Sequence, residues 1–180
     1  MDIEEKAKQF VKIKLHIDKM KNKCGLLEAT QAFKNNVSHL YLDHVYYADQ
    51  YNWMEFGRGK LAELTFYAKQ SQNKQLINQA IEMILLQIQC IIQHSGIDAI
   101  AIIPPSIPRI HQLLKILHNK LKGYHIPFIP LVKYSPSKIP VPQKSLKSRE
   151  QRIRNAKETI LVNEIRTMPY KKILLIDDFV

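Results

Sequence analysis

From Asn73 to His94 the apolar residues Leu76, Ile77, Ala80, Ile81, Ile84, Leu85, Ile88, Ile91 and Ile92 recur at i, i+3, i+4 and i+7, and Gly96 follows as a stop signal. This spacing predicts a core helix of about six turns. The rhythm then changes. DAIAIIPP at 98–105 is a short β-branched run closed by two prolines, the pattern of a buried strand running into a loop. Ile110, Leu113, Leu114, Leu117 and Leu121 predict a second amphipathic helix over 110–122, ended at Gly123. HIPFIPLVKY at 125–134 reads as a strand whose prolines favour an edge position. Residues 135–158 are polar, basic and proline-containing, and KKILLIDD at 171–178 reads as a buried strand. Strand, helix, strand, long connection, strand is the order of βαβ units, so the pattern predicts an α/β fold with a parallel sheet and flanking helices.

The N-terminal part is less regular. Residues 4–21 set Phe10, Val11, Ile13, Leu15, Ile17 and Met20 among lysines, with period 2 in the middle and helical charge placement, and helix is favoured. Residues 26–48 carry a Tyr/His cluster (His39, Tyr41, His44, Tyr46, Tyr47) without an acid or thiol at ligand spacing, which reads as packing and hydrogen bonding rather than a metal site. From Trp53 to Gln70 the pattern is helical, through Leu61, Leu64, Phe66 and Ala68. GRGK at 57–60 lacks the further glycines and the preceding strand of a P-loop and reads as a helix start. The division expected is a mainly helical N-terminal extension or hood over 1–52 and an α/β domain over 53–180.

The chain has 180 residues with 46% apolar content, too apolar for a disordered chain, and no run approaches the roughly 18 uncharged apolar residues of a membrane span. No membrane insertion is expected. The N-terminus lacks the apolar core and cleavage site of a signal peptide, which predicts a cytoplasmic protein. Cys24 and Cys90 lie far apart in sequence, so reduced thiols are expected, with Cys90 in the core. The net charge of +11 is uneven: residues 133–157 hold eight basic residues against Glu150 alone. One positive patch points to a phosphorylated small molecule or a nucleic acid as partner.

Ligands of open parallel sheets bind at the carboxyl ends of the strands. Three loops qualify: PPSIPR at 104–109, the basic segment 134–158, and whatever follows Asp178. Asp177 and Asp178 are adjacent carboxylates at a strand end. Beside a basic loop they suit a ligand with vicinal hydroxyls and phosphates, or a divalent metal.

These residues resemble a known family. KKILLIDDFV is similar to the start of the phosphoribosyl-pyrophosphate (PRPP) motif of type I phosphoribosyltransferases, in which an apolar strand ends in two acids. Gln143, Leu146, Arg152, Asn155 and Val162 resemble the Q-x-x-L, R-x-x-N, F-x-V pattern of the ComF-like (competence protein F-like) branch, with one residue inserted after Leu146. Ile103-Pro104-Pro105 stands where that branch has its Pro-Val-Pro loop, and the resemblance covers roughly residues 55–180.

The resemblance implies a type I phosphoribosyltransferase fold and a transferase of nucleotide metabolism or competence that uses PRPP and Mg²⁺. Asp177 and Asp178 would bind the ribose hydroxyls, directly or with Mg²⁺ nearby. Pro104, Pro105, Ser106 and Arg109 would lie by the pyrophosphate. Segment 134–158 would be a lid, with Lys144, Arg149 and Arg152 meeting pyrophosphate and Asn155 holding the lid's base. The Thr/Ser/Gly-rich loop that follows the acids in the family does not fall within these 180 residues, so the expectation is a piece of a longer protein or a shortened homologue. The family's N-terminal four-cysteine ribbon has no counterpart here. Two alternatives remain: a non-catalytic module of this fold that binds single-stranded nucleic acid, such as single-stranded DNA, or a protein partner in DNA uptake or processing, and a partner-binding role for residues 1–50.

Overall fold

The lysine-rich N-terminal stretch is helical. Helix α1 spans Ile3–Met20 in the computed structural model, which describes residues 2–107, 109–134, 145–163 and 170–178. Asp2 caps α1 by accepting from Ile3 N at 2.7 Å, and Glu4, Glu5 and Lys19 complement the helix dipole. The local alternation over 11–17 does not become a strand: Ile17 is buried while Val11 and Leu15 stay more than half exposed. The face that packs is the helical one. Phe10 stacks on Trp53 and meets Phe56 edge-on, each at 5.3 Å between centroids, and Ile13 and Ile17 close over Leu27 and Trp53.

The chain divides into two compact units. The first takes residues up to Gln70 and Gln75–Ile91, and the second Ser71–Lys74 and the chain from Ile92 onward. In the first unit, α1 is followed by β1 (Leu27–Glu28), α2 (Thr30–Lys34) and β2 (Tyr46–Tyr47), with β1 and β2 antiparallel. The Thr30 hydroxyl donates to the Glu28 carboxylate and accepts from Val45 N at 2.8 Å, tying the two short strands together. Partial burial would raise the Glu28 carboxyl, but hydrogen bonds from Thr30 and Tyr46 outweigh it and hold the group below its usual range. The Tyr/His cluster pairs internally: His39 sits 4.3 Å from Tyr41, and His44 stacks on Tyr46 at 5.9 Å.

Residues 51–59 form a tight loop around a 3₁₀ turn at Met54–Phe56, so the helical pattern from Trp53 is interrupted before α3 (Lys60–Ser71). GRGK does open that helix. Gly57 has a φ of 79°, and Gly59 N donates to Tyr51 O at 3.1 Å. Gly59 is there for space rather than for φ. A Cβ at Gly59 would collide with Gln50 O and lie 2.6 Å from Trp53 Nε1. Arg58 lies 3.9 Å over the Phe66 ring and donates Nε to the Tyr51 hydroxyl at 3.3 Å.

Helix α4 (Lys74–Ser95) is the predicted core helix, ended by Gly96 at a φ of 62°. By length and composition it could also cross a membrane. Within the first unit it buries Ile77, Ala80, Ile81 and Ile88. Its Gln87 amide donates to Gly25 O and Ala48 O at 2.9 and 2.8 Å. Cys90, one turn further, is joined to Cys24 in a disulfide, which corrects the expectation of reduced thiols. Distance along the chain misled here, because α4 returns Cys90 to the turn that carries Cys24, with a Cα separation of 5.4 Å.

The second unit holds β3 (Ala99–Ile102), α5 (Leu113–Leu121), β4 (Phe128–Ile129), β5 (Leu131–Lys133), α6 (Arg149–Thr159), β6 (Ile160–Val162) and β7 (Ile173–Ile176). Strands β4, β3 and β7 make a parallel sheet in that order, as the βαβ pattern predicts. Central β3 is fully buried over Ala99–Ala101, and α5 buries Leu113, Leu114, Leu117 and Leu121. Four buried leucines stabilise by roughly 1.5–3 kcal/mol each.

Three sequence expectations need correction. Helix α5 starts at Leu113, and Ile110 is 88% exposed. The expected single strand over 125–134 is two, because Pro130 has no N–H to continue the ladder; β4 pairs with β3 while β5 pairs antiparallel with β6. β7 is not buried throughout: Ile173 and Leu175 are 49% and 43% exposed, and among the described residues β3 is its only ladder partner.

Replacing Gly59 with Ala should destabilise the protein by about 1–3 kcal/mol, the usual cost of overpacking. Urea unfolding followed by fluorescence of Trp53, the only tryptophan, reports it. Gly123→Ala is the control: nothing lies within 4 Å of its Cβ position, and stability should be unchanged or slightly raised.

Candidate active site

The parallel register brings two of the sequence-predicted loops together. Ile102 pairs with Ile176, and Ile103 N donates to Ile176 O at 2.9 Å. One step further along each strand the chain reaches Pro104 on one side and Asp177–Asp178 on the other. Both loops therefore leave the carboxyl edge of the sheet as neighbours, the position at which open parallel sheets bind ligands. The prolines stop the ladder: neither Pro104 nor Pro105 has an N–H to extend it, so the chain must depart there.

Around this edge Pro104 and Ser106 are half-buried, and Pro105 and Arg109 are exposed. Asp177 is exposed and Asp178 half-buried, with Asp178 N donating to Asp177 Oδ1 at 2.8 Å. That bond holds the Asp177 carboxylate against the backbone of the following residue. Two adjacent, solvent-reached carboxylates present hard oxygen donors of the kind Mg²⁺ takes, and equally accept hydrogen bonds from vicinal hydroxyls.

The remaining predicted residues lie on α6 or outside the described residues. Lys144 and Gln143 are in the latter group. Segment 134–158 is not all loop: its last part is α6, opened by a capping box in which Ser148 Oγ accepts from Gln151 N and Gln151 Oε1 accepts from Ser148 N, both at 3.2 Å. The signal was present in the sequence as S-x-x-Q. Arg149 stands in the first turn, and Arg152 donates Nε to Leu146 O at 3.1 Å. The Asn155 Nδ2 group is buried without a partner among the described residues, while the Asn155 backbone carbonyl accepts from the Thr159 hydroxyl at 2.5 Å. Helix α6 runs directly into β6, whose pairing with β5 fixes it to the strand after Pro130.

Sequence reasoning missed Asp98. Its carboxylate accepts from Lys171 N at 2.8 Å and from Lys172 N at 3.0 Å, and Lys172 Nζ donates to Ser95 O at 3.1 Å. Asp98 thus clamps the start of β7 beside the start of β3 and sets the register that puts Asp177 and Asp178 next to Pro104. The Lys171 N–H foremost, joined by the Lys172 N–H and the Lys171 charge, holds the Asp98 carboxyl below its usual range against the opposing effect of desolvation. An acid just before a strand gave no periodic signal. His118 is perturbed as well: burial, helped by the Lys122 charge, lowers it, and its ring meets Phe128 edge-on at 4.2 Å.

Fold and site together define a mixed α/β protein with a three-stranded parallel sheet and paired carboxylates at its carboxyl edge. Comparisons with protein-family models, with curated proteins and with solved structures find no match to this chain.

Because the folded Asp98 carboxyl is depressed, its stabilisation is complete above the unfolded value near pH 4 and is lost as pH falls through the folded value. Asp98→Asn should therefore lower the melting temperature at pH 7 and have a smaller effect near pH 3. Thermal melts of both proteins across that range check this, and equal losses at both pH values would contradict the clamp.

Proposed function

We propose that the second unit binds PRPP with Mg²⁺ at the carboxyl edge of its parallel sheet and transfers the phosphoribosyl group to a nitrogen acceptor. The observation that carries this reading is the Ile102–Ile176 register, which brings the start of the 104–109 loop up beside Asp177. Asp177 and Asp178 accept hydrogen bonds from the ribose 2′- and 3′-hydroxyls and orient the sugar. Arg109 supplies a cation on the loop that faces the pyrophosphate. Arg149 and Arg152, at the start of α6, add positive charge as pyrophosphate departs from the anomeric carbon and the ring gains oxocarbenium character. Bound Mg²⁺ would supply further neutralisation of the leaving group.

A second reading has its own support. Seven of the eleven net charges come from residues 133–157, and such a patch also suits the backbone of single-stranded nucleic acid. In that case the module holds DNA and performs no transfer.

Isothermal titration separates the two. PRPP with Mg²⁺ should give a binding heat that weakens at least about tenfold in the Asp177→Ala/Asp178→Ala protein, a loss of about 1.4 kcal/mol. No heat, or heat unchanged in the double variant, removes the transferase reading. The nucleic-acid reading instead expects salt-steep binding of an oligodeoxynucleotide. Its log–log slope should fall by about 0.7 for each arginine–phosphate pairing removed when Arg149, Arg152 and Arg154 are neutralised.

A further inference from the structure

We infer that Cys24 and Cys90 form a reversible thiol–disulfide exchange site, built so that the bond can break and re-form without refolding of the first unit. The two sulfurs are held together by more than their own bond. Cys24 lies in a turn that carries its own hydrogen bonds. Asn22 Oδ1 accepts from Cys24 N at 2.9 Å and from Leu26 N at 3.0 Å, Asn22 N donates to Leu26 O, and Gly25 N donates to Asn22 O. Gly25, at a φ of 75°, supplies the left-handed step that this turn needs.

The turn is then fastened to α4 independently of sulfur. Gln87, three residues before Cys90 and so on the same side of the helix, donates one amide to both Gly25 O and Ala48 O. Lys21, at the base of the turn, pairs with Asp18 at 3.2 Å and with Asp49 at 3.5 Å. With these bonds intact, opening the disulfide leaves two thiols facing each other at high effective concentration. That is the condition under which a pair closes again within one molecule.

Access is also provided. Both cysteines are only half-buried, so an external thiolate can reach a sulfur. Exposed Lys23 beside Cys24 favours an anionic reagent, and a glutathione-type thiol is the class expected. A reductant thiolate attacks one sulfur and forms a mixed disulfide while the other sulfur leaves as thiolate and takes a proton. A second reductant thiol then releases the first cysteine as thiol, and two reductant molecules become one disulfide. Two electrons and two protons enter the protein, and oxidised glutathione reverses the sequence.

The test uses the full chain equilibrated across a series of reduced-to-oxidised glutathione ratios, quenched with an alkylating agent and read by mass. The expected result is one reversible transition between a dialkylated and an unalkylated monomer, with the far-ultraviolet circular dichroism unchanged. Gln87→Ala should lower the ratio of disulfide to dithiol at a fixed glutathione ratio by about tenfold, and Cys24→Ser should leave Cys90 as a mixed glutathione disulfide. Dithiol protein that loses its structure, or that re-oxidises only between molecules, overturns the inference. An unchanged ratio in Gln87→Ala overturns it as well.

Discussion

The parallel pairing of β3 with β7 is the constraint on which the second unit depends. It is set at one end by Asp98, which accepts the first two N–H groups of the β7 approach, and at the other by the Ile103 to Ile176 hydrogen bond. Between them four residue pairs are in register. A parallel strand cannot be positioned by a tight turn, so its register must come from the ladder and from whatever holds its ends. A slip of one residue would turn Leu174 and Ile176 outward and carry Asp178 away from Pro104. The candidate site is thus a consequence of strand alignment, and its chemistry rests on an aspartate at the opposite end of the sheet.

The first unit is held differently. Its strands are two residues long and supply little ladder energy, so side chains take over that role. Trp53 packs with Ile17 and Leu27, Phe56 closes on that cluster and Phe10 stacks on Trp53, and polar groups fix the loops: Thr30 between Glu28 and Val45, Gln87 between two carbonyls, Asn22 within its turn. Each of these polar groups answers backbone donors or acceptors that the short strands leave over, a requirement that any irregular region has to meet.

What could be read from the sequence follows the same physics. Helix α4 and strands β3 and β7 were legible because burial on one face or two imposes a period over many residues, and the two acids at the end of β7 were legible because a charge at a strand end is itself a break in pattern. The carboxyl-edge position of Pro104 and Asp177–Asp178 followed from the parallel order. The split at Pro130, the three-residue β6 and the Cys24–Cys90 bond were not legible. Short strands carry no period, and a bond between residues 66 apart is a property of tertiary packing alone. Asp98 escaped for a related reason: its partners are backbone N–H groups that lie 73 and 74 positions away.

The disulfide also changes the molecule's covalent graph. Joining Cys24 to Cys90 makes everything between them a closed ring, which contains β1, α2, β2, α3 and most of α4. A single backbone cut inside that ring releases nothing, since both new ends remain tethered through sulfur. The nicked chain keeps its connectivity and falls into two pieces only on reduction. Damage to the loop between β2 and α3 would accordingly stay hidden under oxidising conditions and become a loss of the N-terminal segment under reducing ones.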